Sequence, residues 1–209
     1  MQEVSTNLGK LLYTHGNKYI CEFGIRDKKT SILWKEVDEL FLSGQRTSIN
    51  FIPAGESMEI KVVSITGENI RLKQNALFMM GGKKKGAIFG IYNFIVDKII
   101  GRQMSELVTA IKNGNRVSFN SFDITANAFH RKKFFGGYDI IEFERVAGCD
   151  FNNGEFVIEF VDDKGCLKQK GSGQVAHIPN IHLAQALLSS IAKSNQETRT
   201  KSFRESFKK

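Results

Sequence analysis

Proline, cysteine and long apolar runs are all scarce in this chain of 209 residues. Only 2 prolines occur, and 41% hydrophobic with 25% charged residues is typical of a folded protein, which excludes collagen-like and wholly disordered chains. The most apolar stretch, residues 87–100, is about 14 residues long, whereas a helix that crosses a bilayer needs roughly 20 apolar residues. We therefore expect one large or two small folded domains, without a transmembrane segment.

The cysteines are too few and too irregular in spacing for a disulfide framework. Cys21, Cys149 and Cys166 are an odd number and include no C-x-x-C spacing, so we expect reduced, buried thiols. The first residues show neither the basic nor the apolar region of a secretory signal. These features predict a cytoplasmic protein, either free or peripheral at the inner face of the membrane.

The residue patterns of common enzymes and metal sites are also missing. The 4 histidines include no H-E-x-x-H and no Cys/His set at zinc spacing, and no G-x-S-x-G nucleophile elbow occurs. Gly81 and Gly86 are spaced as in a phosphate-binding loop, but Ala87 and Ile88 replace the Lys-Ser/Thr pair that such a loop needs. We predict a non-enzymatic protein with no catalytic residue, no metal and no cofactor.

Short strand-like runs fill residues 17–73, which predicts an antiparallel meander. Glycine supplies the positive φ of many turns without steric cost. Three glycine turns are therefore expected, at Gly44, Gly55 and Gly67. Between residues 103 and 113, apolar residues recur at i, i+3, i+4 and i+7, which predicts an amphipathic helix that stops at Gly114.

The second half of the chain repeats this plan. Strand-like runs between residues 116 and 168 are joined by turn signals at Asn152-Asn-Gly154 and Asp162-Asp-Lys-Gly165. An amphipathic pattern follows Asn180, a residue type that favours the start of a helix. The chain is therefore predicted to be α+β and mostly β.

A shared local signature suggests that the two halves arose by duplication. Trp34-Lys-Glu-Val37 in the first half corresponds to Phe143-Glu-Arg-Val146 in the second. The first domain is predicted over residues 8–113, with its final helix at about 89–113, and the second over 114–193, with its final helix at about 181–193. The basic residues 194–209 are expected to form a disordered tail.

Four segments carry a resemblance: Ile32-Leu-Trp34-Lys-Glu-Val37, Gly114-Asn-Arg-Val117-Ser-Phe119, Ile140-Ile-Glu-Phe143 and Ile178-Pro-Asn180. In these segments the chain resembles an uncharacterised family of bacterial proteins with two tandem pleckstrin-homology-like (PH-like) domains. The resemblance implies two antiparallel barrels or sandwiches, each closed by a C-terminal amphipathic helix, in a non-enzymatic module. The chain departs from the family pattern at Asn120, where a Gly is usual, and at Phe143, where a Trp is usual.

The aromatic residues are expected mainly in the two cores. This set comprises Trp34, Phe41, Phe134, Phe135, Phe143 and Phe151. Phe134 and Phe135 also fit a second interpretation, because they follow three cations in the sequence. Such a loop can bring cations to anionic headgroups while its apolar tip enters the interface. The competing interpretation is a solvated charged loop followed by a strand that buries one Phe.

Basic residues exceed acidic ones by 30 to 22, which gives a net charge of +8 and favours acidic partners. A basic loop precedes the shared signature in each half. The candidate ligand-binding residues are Arg26, Lys28 and Lys29 in the first loop, and Arg131, Lys132, Lys133, Phe134 and Phe135 in the second. We expect an interaction module that binds an acidic ligand, either an anionic membrane surface or a protein or peptide partner.

Nucleic acid is the alternative partner. Lys83-Lys-Lys85, the second basic loop and the tail would bind it weakly and mainly through charge, with a steep dependence on salt. Phe134 and Phe135 also fit a platform on which bases stack. No motif that reads bases is visible in the sequence, which is why this hypothesis ranks second.

Overall fold

Among the residues that the structure describes, the two halves of the chain have the same order of elements, apart from one additional 3-10 turn in the second half. That order is four strands, one turn of 3-10 helix, three strands and a helix. The computed structural model describes residues 7–49, 52–77 and 85–206. They form two units, one that ends at Arg102 and one that begins at Gln103. The predicted α+β, mostly β class is confirmed.

The first unit contains two antiparallel sheets and most of one helix. Its four-stranded sheet consists of β1 (Leu11–His15), β2 (Lys18–Cys21), β3 (Gly24–Arg26) and β4 (Ser31–Leu33), in that order. A 3-10 turn at Trp34–Glu36 leads into the three-stranded sheet of β5 (Val37–Ile49), β6 (Ile52–Ser64) and β7 (Asn69–Leu77). Helix α1 (Lys85–Lys112) follows and continues into the second unit.

The core of the first unit lies between its two sheets and α1. Ile88, Ile95 and Ile99 on the helix are fully buried against strand residues such as Ile32 and Leu72. These helix positions are spaced so that they share one face, because i, i+4 and i+7 neighbours lie above one another. Burial of this face fixes the helix against the sheets.

The second unit repeats this arrangement. Its four-stranded sheet has the order β11 (Tyr138–Glu142), β10 (Ala128–Lys132), β9 (Phe122–Ile124) and β8 (Val117–Ser118). A 3-10 turn at Phe143–Arg145 leads into the sheet of β12 (Val146–Asn152), β13 (Glu155–Val161) and β14 (Leu167–Gln174). A further 3-10 turn at Val175–His177 precedes helix α2 (Ile181–Ser206).

Phenylalanine rings form the centre of the second core. The ring centroid of Phe122 lies 4.7 Å from that of Phe129, 5.1 Å from that of Phe119 and 5.7 Å from that of Phe156. All four side chains are buried. Aromatic pairs at these separations add attraction beyond the area that they remove from water.

The prediction of which aromatic side chains fill the two cores is mostly wrong. Trp34 is buried, but Phe41 and Phe143 are half-buried, and Phe134, Phe135 and Phe151 are exposed. The cysteines also differ from expectation, because only Cys21 is fully buried while Cys149 is half-buried and Cys166 is exposed. Single-sequence patterns place strands better than they assign each side chain to a face, since one residue of register reverses the faces.

Several predicted turns are confirmed by positive φ angles. Gly67 has φ of 84°, Gly114 has 80° and Gly165 has 77°, while the Asn153-Gly154 turn has φ of 50° and 78°. Two other predicted turns are wrong. Gly44 lies inside β5 opposite Met58, and Gly55 lies inside β6 opposite Thr47, because the two strands form one hairpin of 13-residue arms.

Asn120 lies at a position where the resemblance predicts Gly. Its φ of 66° is left-handed, which Gly adopts freely and Asn tolerates better than most other residues. The Asn120 side-chain amide also donates a hydrogen bond of 3.0 Å to the carbonyl of His177. The conformation that favours Gly at this position is thus retained, with an added link to the third 3-10 turn.

The boundary between the two units differs from the predicted domain boundary. The two units divide inside α1, between Arg102 and Gln103, rather than at Gly114. The expectation of a disordered tail does not hold for residues 194–206, which continue α2. Among the described residues the four sheets are not closed into barrels, which corrects the barrel form of the fold expectation.

His182 is a buried titratable group on α2. The side chain is 6% exposed, and its Nε2 lies 3.2 Å from the Gln103 amide oxygen, to which it donates. Burial lowers the pKa of His182 from 6.5 to about 4. The folded protein therefore holds this imidazole neutral at pH values where the unfolded chain already protonates it.

We predict that the free energy of unfolding falls as the pH is lowered from 6.5 towards 4. The depressed pKa of His182 means that its contribution is complete above pH 6.5 and has dropped by about 2 kcal/mol at pH 5. Urea unfolding of the protein and of His182→Gln at pH 7 and pH 5 measures this share. An equal pH dependence in both proteins would refute the assignment to His182.

Candidate functional site

The β10–β11 hairpin carries the second predicted basic loop at its tip. Residues 133–137 join the two strands, and the Lys133 amide donates to the Gly137 carbonyl at 3.1 Å. Gly136 and Gly137 have φ of 89° and 79°, so the chain reverses in a conformation suited to glycine. This turn leaves Phe134 and Phe135 at the outer end of the hairpin.

Phe134 and Phe135 are 95% and 96% exposed. Their rings lie edge to face with centroids 5.1 Å apart. The expectation that the following strand buries one of them is wrong, because β11 begins only at Tyr138. Two adjacent large apolar side chains held fully in water are unusual for a soluble surface, and such exposure is typical of an interaction site.

Asp139, near the start of β11, forms ion pairs with three cations. Its carboxylate oxygens lie 3.0 Å from Arg131, 3.1 Å from Lys133 and 2.8 Å from Lys170. Hydrogen bonds from Lys170, and then from Lys133 and Arg131, lower the pKa of Asp139 to about 2 despite some burial. Arg131 and Asp139 are direct partners across β10 and β11, whereas Lys170 comes from β14.

Lys132 points to a different and buried carboxylate. Its ammonium lies 3.1 Å from Asp123 and donates to the Ser118 hydroxyl at 2.9 Å, and Arg116 lies 3.7 Å from the same carboxylate. Asp123 is 3% exposed. Burial acts to raise its pKa, but hydrogen bonds from Ser118, Lys132 and Tyr138 outweigh burial and lower it. Lys132 therefore has a structural role.

The charges around the hairpin do not cancel. Five cations face the two carboxylates, which leaves a net charge of +3 beside the Phe134-Phe135 tip. Their positions are fixed by ion pairs, so the side chains lose less freedom when they meet an anion. The hairpin thus combines an apolar tip with a preorganised basic base.

The first basic loop is a tight turn between β3 and β4, the same connection that the second loop makes in its unit. The Asp27 carboxylate accepts hydrogen bonds from the amides of Lys29 (2.8 Å) and Thr30 (2.9 Å). Arg26 is half-buried, with its guanidinium 5.0 Å from the Tyr19 ring centroid. Lys28 and Lys29 are exposed, and this loop has no aromatic tip.

A His-Thr contact near the hairpin is oriented against nucleophilic catalysis. His130 Nδ1 lies 3.4 Å from the Arg116 guanidinium, which can only donate, so Nε2 carries the proton. Nε2 then donates to the Thr125 hydroxyl at 3.0 Å, and that hydroxyl donates to the Ala128 carbonyl at 3.2 Å. A general base would need the reverse arrangement.

The remaining candidates are a metal site and the other basic segments. They include no group of three or more His, Cys, Asp or Glu side chains able to hold a metal ion. Lys83 and Lys84, together with Gly81 of the rejected phosphate loop, lie outside the described residues. In the region predicted as a tail, Arg199 donates to the Glu144 carbonyl at 2.9 Å.

No family model and no curated protein matches this chain. Within residues 7–49, 52–77 and 85–206, no helix is long and apolar enough to span a membrane.

We predict that Lys132→Gln lowers the free energy of unfolding by about 1 to 3 kcal/mol, because it removes a hydrogen-bonded cation from the buried Asp123. Lys28→Gln is the matched control, since Lys28 is exposed and its loss is expected to change stability by less than about 0.5 kcal/mol. Urea unfolding of the two variants tests the difference. Equal stabilities would show that Lys132 is an ordinary surface lysine.

Proposed function

We propose that the protein is a non-enzymatic interaction module that binds an anionic membrane surface through the β10–β11 hairpin. The observation that carries the proposal is the exposed Phe134-Phe135 tip on a hairpin whose ion-paired groups have a net charge of +3. Rings at the tip enter the boundary between headgroups and acyl chains, while the cations remain at headgroup level.

The geometry favours a membrane over a peptide groove. A peptide partner is usually held in a concave site with pockets for its side chains, whereas this feature projects from the end of a sheet. The two rings contact one another edge to face and are not packed into a fold of their own chain. An interface that accepts a projecting apolar tip without a matching pocket is what a lipid bilayer provides.

The proposal includes a tandem pair of PH-like domains. The support is the repeated order of elements, in which a four-stranded sheet, a 3-10 turn, a three-stranded sheet and a helix occur twice. A shared fold does not by itself assign a ligand, so the membrane function is argued from the hairpin.

The first basic loop adds attraction without insertion. Lys28 and Lys29 are exposed, and each cation close to an anionic surface contributes about 1 kcal/mol. Two linked contacts bind more tightly than either alone when both reach the surface together.

We predict that Phe134→Ser/Phe135→Ser weakens binding to anionic vesicles by about tenfold for each ring removed. The stability of the protein should not change, because both side chains are already in water. Co-sedimentation with vesicles of phosphatidylcholine and phosphatidylserine, and with phosphatidylcholine alone, measures the loss. Pelleting at two salt concentrations separates the ring contribution, which salt does not screen, from that of the cations.

The matched control is Ile65→Ser/Leu167→Ser, which removes two other apolar side chains that are 66% and 61% exposed. This variant should bind vesicles as the unmodified protein does. Equal losses in the two double variants, or no pelleting of the unmodified protein at low salt, would contradict the membrane proposal. Loss of pelleting on addition of single-stranded DNA would point to nucleic acid as the partner.

Asp139→Asn is expected to strengthen binding to anionic vesicles about fivefold, because it releases three cations from a carboxylate and removes one repelling charge. Asp163→Asn is the control of identical charge change, at a side chain that is 91% exposed and paired with Arg145. The vesicle titration that compares them distinguishes a local effect from net charge. Equal effects in the two variants would mean that the base of the hairpin has no special role.

A further inference from the structure

A concave site lies in the first unit. It is a pocket of about 500 Å³, a size within the range of small-molecule sites in proteins. The connection between β2 and β3, the start of the first 3-10 turn and the helix α1 supply its walls. The lining residues are Asn7, Glu22, Phe23, Leu33, Trp34, Lys35, Lys98 and Arg102.

The apolar part of the pocket is formed by Trp34, Phe23 and Leu33. Trp34 is 6% exposed, and its indole N–H donates to the carbonyls of Cys21 (3.3 Å) and Glu22 (3.1 Å). This donor is therefore engaged inside the protein, and the indole offers the pocket an apolar surface. Phe23 is 54% exposed, so a ligand body in the pocket would cover apolar area that now faces water.

The charged part of the pocket is predominantly basic. Lys35, Lys98 and Arg102 stand against the single carboxylate of Glu22, which leaves a net charge of +2. Arg102 donates to the carbonyl of Val37, which holds its guanidinium at the wall. Lys35 and Lys98 are exposed, and the Lys98 ammonium lies 5.3 Å from the centroid of the Phe94 ring.

We propose that this pocket binds a small organic anion with an aromatic or branched apolar body. The anionic group lies with Lys35 and Lys98, and the body packs against Phe23, Leu33 and Trp34. A pocket that was only apolar would bind neutral bodies equally well, and an exposed pair of lysines alone would bind any anion. The combination selects a ligand that has both parts. The site shares no residue with the hairpin and does not depend on the membrane proposal.

Trp34 is the only tryptophan in the chain and lines the pocket, so its fluorescence is a usable signal once the charge variants below locate the bound dye. The probes are 8-anilinonaphthalene-1-sulfonate and its uncharged analogue N-phenyl-1-naphthylamine, which differ in the sulfonate. Titration uses the full chain that carries Phe134→Ser/Phe135→Ser, because these changes remove two highly exposed apolar side chains from competition for the dyes. We expect saturable quenching of Trp34 by the anionic dye, and binding of the neutral dye that is about tenfold weaker.

Charge variants test the proposed roles one by one. Lys35→Gln and Lys98→Gln should each weaken binding of the anionic dye about threefold to tenfold, whereas Glu22→Gln should tighten it. Lys112→Gln is the matched control, an exposed lysine near the end of α1 that does not line the pocket. Unchanged stability to urea establishes that each variant folds.

Three results would overturn the proposal. They are equal binding of the two dyes, no change in Trp34 fluorescence with the anionic dye, or equal affinities of Lys35→Gln, Lys98→Gln and Lys112→Gln for that dye. Quenching that is strongest for the anionic dye and that responds in opposite directions to Lys98→Gln and Glu22→Gln would support it.

Discussion

The rest of each unit depends on one turn of 3-10 helix where the chain passes from its first sheet to its second. Val37 and Val146 end these two turns with φ of −70° and −63° and ψ of 120° and 126°, and both side chains are fully buried. Because the valine at this corner is buried, the end of the first sheet and the start of the second are both fixed at the core. The helix of each unit then packs on the sheets. In the first unit the same corner places Trp34 at the wall of the pocket. In the second unit β11 leads from the hairpin into the corner, so the core anchors one end of the hairpin.

Ion pairs determine what the basic residues of the second unit can do. Lys132 is committed to the buried Asp123, and Arg131 and Lys133 share Asp139 with Lys170. These cations still attract anions, because the surplus of positive charge remains, but they cannot all leave their partners to follow a ligand. Cations held in this way orient the protein and attract anions over a distance, but they add little to the affinity. Further affinity must come from a different kind of contact. The exposed rings of the tip are suited to that part, since burial of apolar area is not directional.

The sequence predicted the elements that depend on local signals. Gly67, Gly114 and Gly165 marked turns because each adopts a positive φ, and the alternation of apolar residues marked most strands. The turns predicted at Gly44 and Gly55 were wrong. The residues on both sides of each glycine pair with the neighbouring strand, so the glycine continues its own strand. The contact between Lys170 and Asp139 carried no local signal, because it joins residues of two different sheets. The pocket around Trp34 was also beyond sequence patterns, as its walls come from separate segments.

The two units show how one order of elements can present different chemistry at equivalent connections. Between the third and fourth strands the first unit has a tight turn fixed by Asp27, whereas the second has a longer tip with Phe134 and Phe135. The screening length at physiological ionic strength is about 8 Å, so attraction from exposed lysines such as Lys28 weakens strongly as salt rises. The contribution of the rings does not weaken in this way, because it arises from apolar area removed from water. Under the membrane proposal, the second unit therefore supplies the part of the binding that persists as salt rises.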